Sequence, residues 1–156
     1  FEQYLNYFSI DTDMSITIFR LPNVYGPRQR PDLEGGVIAI FYDLMKKNRP
    51  IRIFGDGQQT RDWVYVDDIA NAFCKALKNN KKFNIFLLGS DTETSLNNLF
   101  ACLVDVTGYK QDPQYLDIRA GDIKNMVMTY SKANQSLDWT PDTILSEGIA
   151  KLAKEN

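Results

Sequence analysis

A chain of 156 residues with 44% hydrophobic content can bury one real core, and its net charge of −2, from 18 basic and 20 acidic residues spread along the sequence, points neither to a nucleic-acid surface nor to a polybasic membrane patch. No apolar run approaches the ~20 residues of a membrane-spanning helix. The absence of histidine excludes a Ser-His-Asp triad, a histidine-bearing zinc site and imidazole acid–base chemistry, and the only two cysteines, Cys74 and Cys102, are too far apart for a metal cluster. Both cysteines fall among apolar positions and read as small core residues of a reduced, cytoplasmic protein.

The chain opens in a helix, with Phe1, Tyr4, Leu5 and Phe8 recurring at i, i+3, i+4 and i+7 as one packing face. Phe1 is not a methionine and already belongs to this pattern, so the chain reads as truncated at its start. Ser15 to Leu21 is β-branched and alternating, predicting a strand that Pro22 ends. Asn23 to Gly26 follows as a loop. An asparagine just past a strand end stands where open α/β sheets meet their ligands; Asn23 equally suits a turn in which it caps its own backbone. Gly35 and Gly36 lead a helix that runs to Asn48, with Val37, Ile40, Phe41 and Leu44 on one stripe and a basic last turn that suits its dipole. The paired glycines either leave the first backbone N–H groups open to an anion or simply bend the entry loop.

Arg49 to Asp68 is the most patterned stretch. Two short apolar runs, Ile51 to Phe54 and Trp63 to Val66, flank a polar loop that starts with Gly55-Asp56-Gly57, giving strand, turn and strand. Arg61 stands at the loop exit, followed by Asp62 and by aromatic residues on alternate positions, Trp63 and Tyr65. A guanidinium there can offer planar, bidentate donors to a phosphate. The plainer alternative is a hairpin with a surface ion pair. Asp67 to Lys78 predicts an amphipathic helix with Ile69, Phe73, Ala76 and Leu77 inward and with Asp67 and Asp68 as caps. Asn79 to Lys82 is a polar turn, and Phe83 to Leu88 reads as a strand buried on both faces of a parallel sheet. After a loop, Thr94 or Ser95 caps a helix whose stripe is Leu96, Leu99, Phe100, Leu103 and Val104, closed by Gly108. Tyr115 to Ile118 suggests a short strand, and Arg119-Ala-Gly-Asp122 is by residue type a turn with a local ion pair. Ile144 to Ala153 forms the closing helix, with Ile149 and Leu152 inward. No repeat or linker interrupts the chain, which predicts one compact α/β unit.

Phe54-Gly-Asp-Gly-Gln-Gln-Thr-Arg-Asp-Trp63, continued to Asp67, resembles a signature of the extended short-chain dehydrogenase/reductase family, the nucleotide-sugar epimerases and dehydratases. Arg20-Leu-Pro-Asn-Val-Tyr-Gly-Pro-Arg-Gln29 upstream and Arg119 to Asp122 downstream match in order and distance. Leu137-Asp138-Trp139-Thr-Pro141 matches the family's Leu-Gly-Trp-x-Pro with Asp138 in the glycine's place, whereas Met126 to Tyr130 departs from the pattern. The resemblance implies an α/β fold, with residues 1–156 as the C-terminal substrate-binding half of a Rossmann-type enzyme built from short parallel strands and packing helices. It implies that Asn23, the Gly36 and Val37 amides, Arg61 and Arg119 grip the diphosphate of a nucleotide sugar. Arg52, through its main chain, and the ring of Phe54 would hold a uracil, Asp122 a ribose hydroxyl, and Leu21 and Pro22 would flank the nicotinamide of NAD. The Tyr-x-x-x-Lys pair and the Gly-rich cofactor loop are expected upstream of Phe1, which leaves no catalytic residue and no metal site in this chain and makes the fragment alone inactive.

Gly36-Val-Ile-Ala-Ile-Phe41 is similar to a run common in UDP-hexose 4-epimerases. The implied function is the nucleotide-sugar-binding portion of an NAD-dependent epimerase of the UDP-glucose 4-epimerase kind, a homodimer when whole, with no nucleic-acid or membrane partner. A dehydratase or decarboxylase on a dTDP- or UDP-sugar and a non-catalytic nucleotide-sugar-binding module stay open as alternatives.

Overall fold

The computed structural model describes residues 1–33, 36–78 and 81–155. In chain order, α1 (Glu2–Asp11), β1 (Ile16–Arg20) and β2 (Asn23–Tyr25) lead to α2 (Val37–Lys46). Next come β3 (Arg52–Phe54), β4 (Thr60–Arg61), β5 (Trp63–Tyr65), α3 (Val66–Ala76) and β6 (Phe83–Leu87). The chain closes with β7 (Thr94–Ser95), α4 (Leu96–Thr107), β8 (Gln114–Leu116), α5 (Ser131–Leu137) and α6 (Leu145–Glu155). β1 pairs with β6, β2 with β5 and β3 with β8, all parallel, while β4 and β7 pair antiparallel. This is the α/β class with short parallel strands that the sequence predicts.

The stretch from Arg49 to Asp68 is not a hairpin. β3 bonds to β8, β4 to β7 and β5 to β2, so three consecutive strands reach three different partners. Gly55 and Gly57, with φ of +78° and +74°, make the reversal between them in a conformation that side-chain-bearing residues resist. Asn23 to Tyr25, expected as a loop, is strand β2, in register with Trp63 to Tyr65. Its partner is distant in sequence, so no local pattern displays the pairing.

All three residues of β5 are buried, and the strand divides two cores. Side chains alternate along a strand. Trp63 and Tyr65 therefore enter one core, with α2, α4 and α6, while Val64 enters the other, with Ile69, Ala72, Phe86 and Trp139. Ser95 caps α4 by accepting the Asn98 N–H at 3.2 Å, and Gly108 ends that helix at φ 68°. Thr94 belongs to β7. On α6, Ile149 and Leu152 are buried as expected.

Several predicted faces point elsewhere. Phe1, Tyr4 and Phe8 of the first helix are exposed, and Ser9 is the buried residue of α1. On α3, Ile69 and Ala72 turn inward, whereas Phe73 is half exposed and Leu77 is 87% exposed. Cys74 is exposed too; Cys102 is half-buried against the first core, and burial pushes its thiol pKa up. Periodicity marks an apolar face without saying what covers it.

Asp67 and Asp68 stand in the first turn of α3 rather than at its N-cap, Tyr65, which donates no side-chain cap. The buried Asp68 carboxylate instead accepts the Thr143 N–H at 3.0 Å and the Thr143 hydroxyl at 3.3 Å, tying α3 to the approach to α6. Along β6 burial alternates, with Asn84 and Phe86 buried and their neighbours half-buried, so the strand is not covered equally on both faces. α5 ends at Asp138 with φ 52°, a left-handed conformation that aspartate enters more readily than most residues, which accounts for aspartate in the glycine's place. Part of the turn expected at 79–82 lies outside the described residues.

Candidate functional site

Helix α2 is apolar on two faces, one buried in the first core and one that flanks that core and borders a cavity. Ile38, Phe41, Tyr42 and Met45 are buried in the first core, while Val37, Ile40 and Leu44, from the predicted stripe, line a cavity of about 710 Å³. Phe41 is buried in the core and also lines the cavity, and Val37, Ile40 and Leu44 pack, half-buried, against the same core. Across the cavity β3 alternates in the same way, with Ile53 buried and Arg52 and Phe54 on the opposite face. β2 contributes Asn23, β4 contributes Arg61, and the segment after β8 contributes Arg119 and Asp122. Asn23, Val37, Arg52, Phe54, Arg61, Arg119 and Asp122 thus share one cavity. Gly36, the N-cap of α2, stands next to Val37 but does not line it, and Gly35 lies outside the described residues. Leu21 and Pro22 are also outside the cavity, at the end of β1.

Several of these polar groups are held by specific contacts. The Asn23 side-chain amide donates at 3.0 Å to the carbonyl of Asp62, the residue just before β5, rather than to its own turn. One Arg61 amino group, Nη1, donates to the Thr60 and Ile123 carbonyls at 2.7 Å each, which fixes the guanidinium. The carboxylate of Asp62 points away from it, because successive side chains of an extended segment face opposite sides. Asp62 is fully buried and accepts the Ser90 N–H at 3.0 Å, the Ser90 hydroxyl at 2.6 Å and the Met128 N–H at 3.0 Å. In place of the surface ion pair of the plainer alternative, Asp62 makes a set of buried hydrogen bonds. Arg119 lays its guanidinium over the Phe54 ring, 3.6 Å from the centroid, a cation–π contact. Arg119 and Asp122 are joined by the turn's own bond, Asp122 N–H to Arg119 carbonyl at 3.2 Å, and no ion pair joins them among the described residues.

The cavity is electropositive. Four arginines, Arg49, Arg52, Arg61 and Arg119, line it against one acidic residue, Asp122, and none of the four is ion-paired among the described residues. The open N–H groups at the start of α2, which carries no side-chain cap, add to the same sign. An anionic ligand with an apolar or aromatic portion suits this combination of cations, helix wall and Phe54 ring. Among the described residues no cluster of His, Cys, Asp and Glu could hold a metal ion.

Sequence reasoning leaves out three lining residues with polar groups. Gln59 donates to the Phe54 carbonyl at 2.6 Å and so anchors the loop beneath the ring. Trp63 is 7% exposed, and its indole N–H has no acceptor among the described residues. Arg49 stands between α2 and β3. The alternation of Trp63 with Tyr65 hints at the tryptophan, but nothing periodic marks Gln59 or Arg49.

Residues 1–89 match the NAD dependent epimerase/dehydratase family, a match that covers more than half of the sequence. The chain belongs to the NAD dependent epimerase/dehydratase family. Within that family it is 37% identical over 153 residues to the UDP-glucose 4-epimerase of Mycolicibacterium smegmatis, covering 96% of this chain and 48% of that protein. It is 33% identical over 143 residues to the dTDP-D-glucose 4,6-dehydratase of Bos taurus, covering 87% of this chain and 39% of that one. Its structure matches that of the UDP-glucose 4-epimerase of Thermotoga maritima, crystallised with UDP-glucose, with a TM-score of 0.94 and 38% identity over 99% of this chain and 50% of the other. This epimerase/dehydratase chain therefore spans about half the length of the relatives it matches.

Proposed function

We propose that the chain is the C-terminal, nucleotide-sugar-binding half of an NAD-dependent epimerase that inverts C4 of a UDP-hexose. The observation that carries this reading is the convergence of Arg61, Arg119, Asn23, Phe54 and Asp122 on one cavity beside the start of α2. In this reading Arg61, Arg119, Asn23 and the Gly36 and Val37 amides hold the diphosphate by charge-assisted hydrogen bonds. Phe54 and the main chain at Arg52 hold the base, and Asp122 accepts a ribose hydroxyl. Binding energy gathered on the nucleotide holds the substrate while its sugar is free to turn.

What this chain offers NAD is confined to the end of β1, where Leu21 is exposed and Pro22 half-buried, and its sequence contains no Gly-x-x-Gly-x-x-Gly loop. Its residues therefore do not form a cofactor site by themselves. Hydride acceptance and the acid–base tyrosine belong to groups outside it, and this chain binds and orients. The same reading makes the whole protein a cytoplasmic homodimer; among the described residues no helix is long and apolar enough to cross a membrane.

The dehydratase relative keeps a second reaction in view, because the grip on the nucleotide is shared by reactions that differ only at the sugar. Epimerisation returns the hydride and gives an isomeric product; dehydration removes one water. The whole protein, incubated separately with UDP-glucose and dTDP-glucose, is expected to form UDP-galactose with no change in mass. Loss of water from either sugar, without UDP-galactose, would replace the epimerase by a dehydratase.

A further inference from the structure

The cavity has a direction. Gln29 links β2 to the start of α2, donating to the Val24 carbonyl at 3.3 Å while its amide lies against Gly36, so Asn23 and Val37 mark one end. Leu44, Arg49 and Pro50 mark the other. From Val37 to Leu44 the helix rises about 10 Å, the reach of one nucleoside beyond a diphosphate held at the first end.

Arg49 is built into that far end. Its N–H donates to the Leu44 carbonyl at 2.9 Å, and its carbonyl accepts the Tyr109 hydroxyl at 2.7 Å. Asn48 before it turns in the left-handed region at φ 51°, and Pro50 after it restricts the backbone further. The guanidinium itself has no ion-pair or hydrogen-bond partner among the described residues. A guanidinium only donates. On uracil and thymine the group at position 4 is a keto oxygen, an acceptor; on cytosine it is an amine, a donor.

We propose that Arg49 is a specificity-determining residue that reads the base, donating to the keto oxygen at its outer edge, so that the site favours uracil or thymine nucleotides over cytosine nucleotides. This rests on the nucleotide-sugar reading above and adds a residue to it. The test is calorimetric titration of the whole protein with UDP and with CDP, repeated for Arg49→Ala and Arg49→Lys, with melting curves to establish that the variants are folded. The unsubstituted protein should prefer UDP. Arg49→Ala should weaken UDP by about 10- to 100-fold, the scale of a lost charge-assisted hydrogen bond, and leave CDP nearly unchanged; Arg49→Lys, which keeps the charge but not the fork, should recover part of the preference. Equal weakening of UDP and CDP would make Arg49 a general attractor of phosphate and overturn base reading, as would an unmoved ratio of the two. Failure of the unsubstituted protein to bind UDP would remove the nucleotide reading and this proposal together, whereas UDP binding with an unmoved ratio removes this proposal alone.

Discussion

Arg61 and Asp62 are neighbours in sequence with opposite tasks. The guanidinium is braced on two carbonyls at the cavity, and the carboxylate is buried on three donors from the loops at Ser90 and Met128. Their substitutions should therefore separate binding from stability. Arg61→Ala is expected to weaken UDP binding by about 1.5–3 kcal/mol while the melting temperature stays nearly constant; equal UDP affinity by calorimetry would take Arg61 out of the site. Asp62→Ala orphans buried donors and is expected to cost about 3 kcal/mol of unfolding free energy. A urea unfolding midpoint matching the parent's would show that those donors find other acceptors. The presence of the Arg-Asp pair is legible in the sequence. Its division of labour is not, because the donors that claim Asp62 arrive from distant segments.

At the scale of an element, α2 is the clearest case. Its period finds an apolar helix correctly, yet the helix is apolar around most of its girth, and only the packing of α4 against one side decides which residues face the cavity. Phe41→Ala, at the core boundary, should lower stability by about 3–5 kcal/mol. Leu44→Ala, on the cavity side, should cost about 1 kcal/mol but reduce nucleotide affinity. Chemical unfolding and UDP titration of both variants check this; a stability loss at Leu44 as large as that at Phe41 would mean that the helix has no separate ligand face. β3 and β5 carry the same lesson, since their apolar runs identify strands but their partners lie outside any local window.

Across the whole molecule, Tyr25 joins β2, β5 and α6. Its ring meets that of Tyr65 edge-on at 5.6 Å between centroids, and its hydroxyl faces the Leu145 carbonyl at 3.4 Å. Burial pushes its phenol pKa up, and the nearby Asp68 carboxylate adds to the shift. The folded pKa therefore lies above the unfolded value of about 10. The neutral phenol contributes stability that is fully present below pH ~10 and is lost as the pH rises through the folded pKa. Unfolding free energy should fall more steeply above pH ~10 in the parent than in Tyr25→Phe, measured by denaturant titration across that range. Parallel pH profiles would show that Tyr25 ionises alike in the folded and unfolded states.

By itself the sequence determines the α/β class, most helices and strands and the charge-bearing motifs, and the resemblance names in advance Asn23, Val37, Arg52, Phe54, Arg61, Arg119 and Asp122, which line the cavity. These are properties of short windows: a period, a cap, a turn residue, a spacing. Tertiary structure alone decides that Asn23 belongs to a strand, that the faces at Phe1, Phe73 and Leu77 are exposed, and that Arg49, Gln59 and Trp63 enter the cavity. Each of those outcomes depends on what a distant segment covers or leaves open, and burial is a relation between segments that no window of one segment contains.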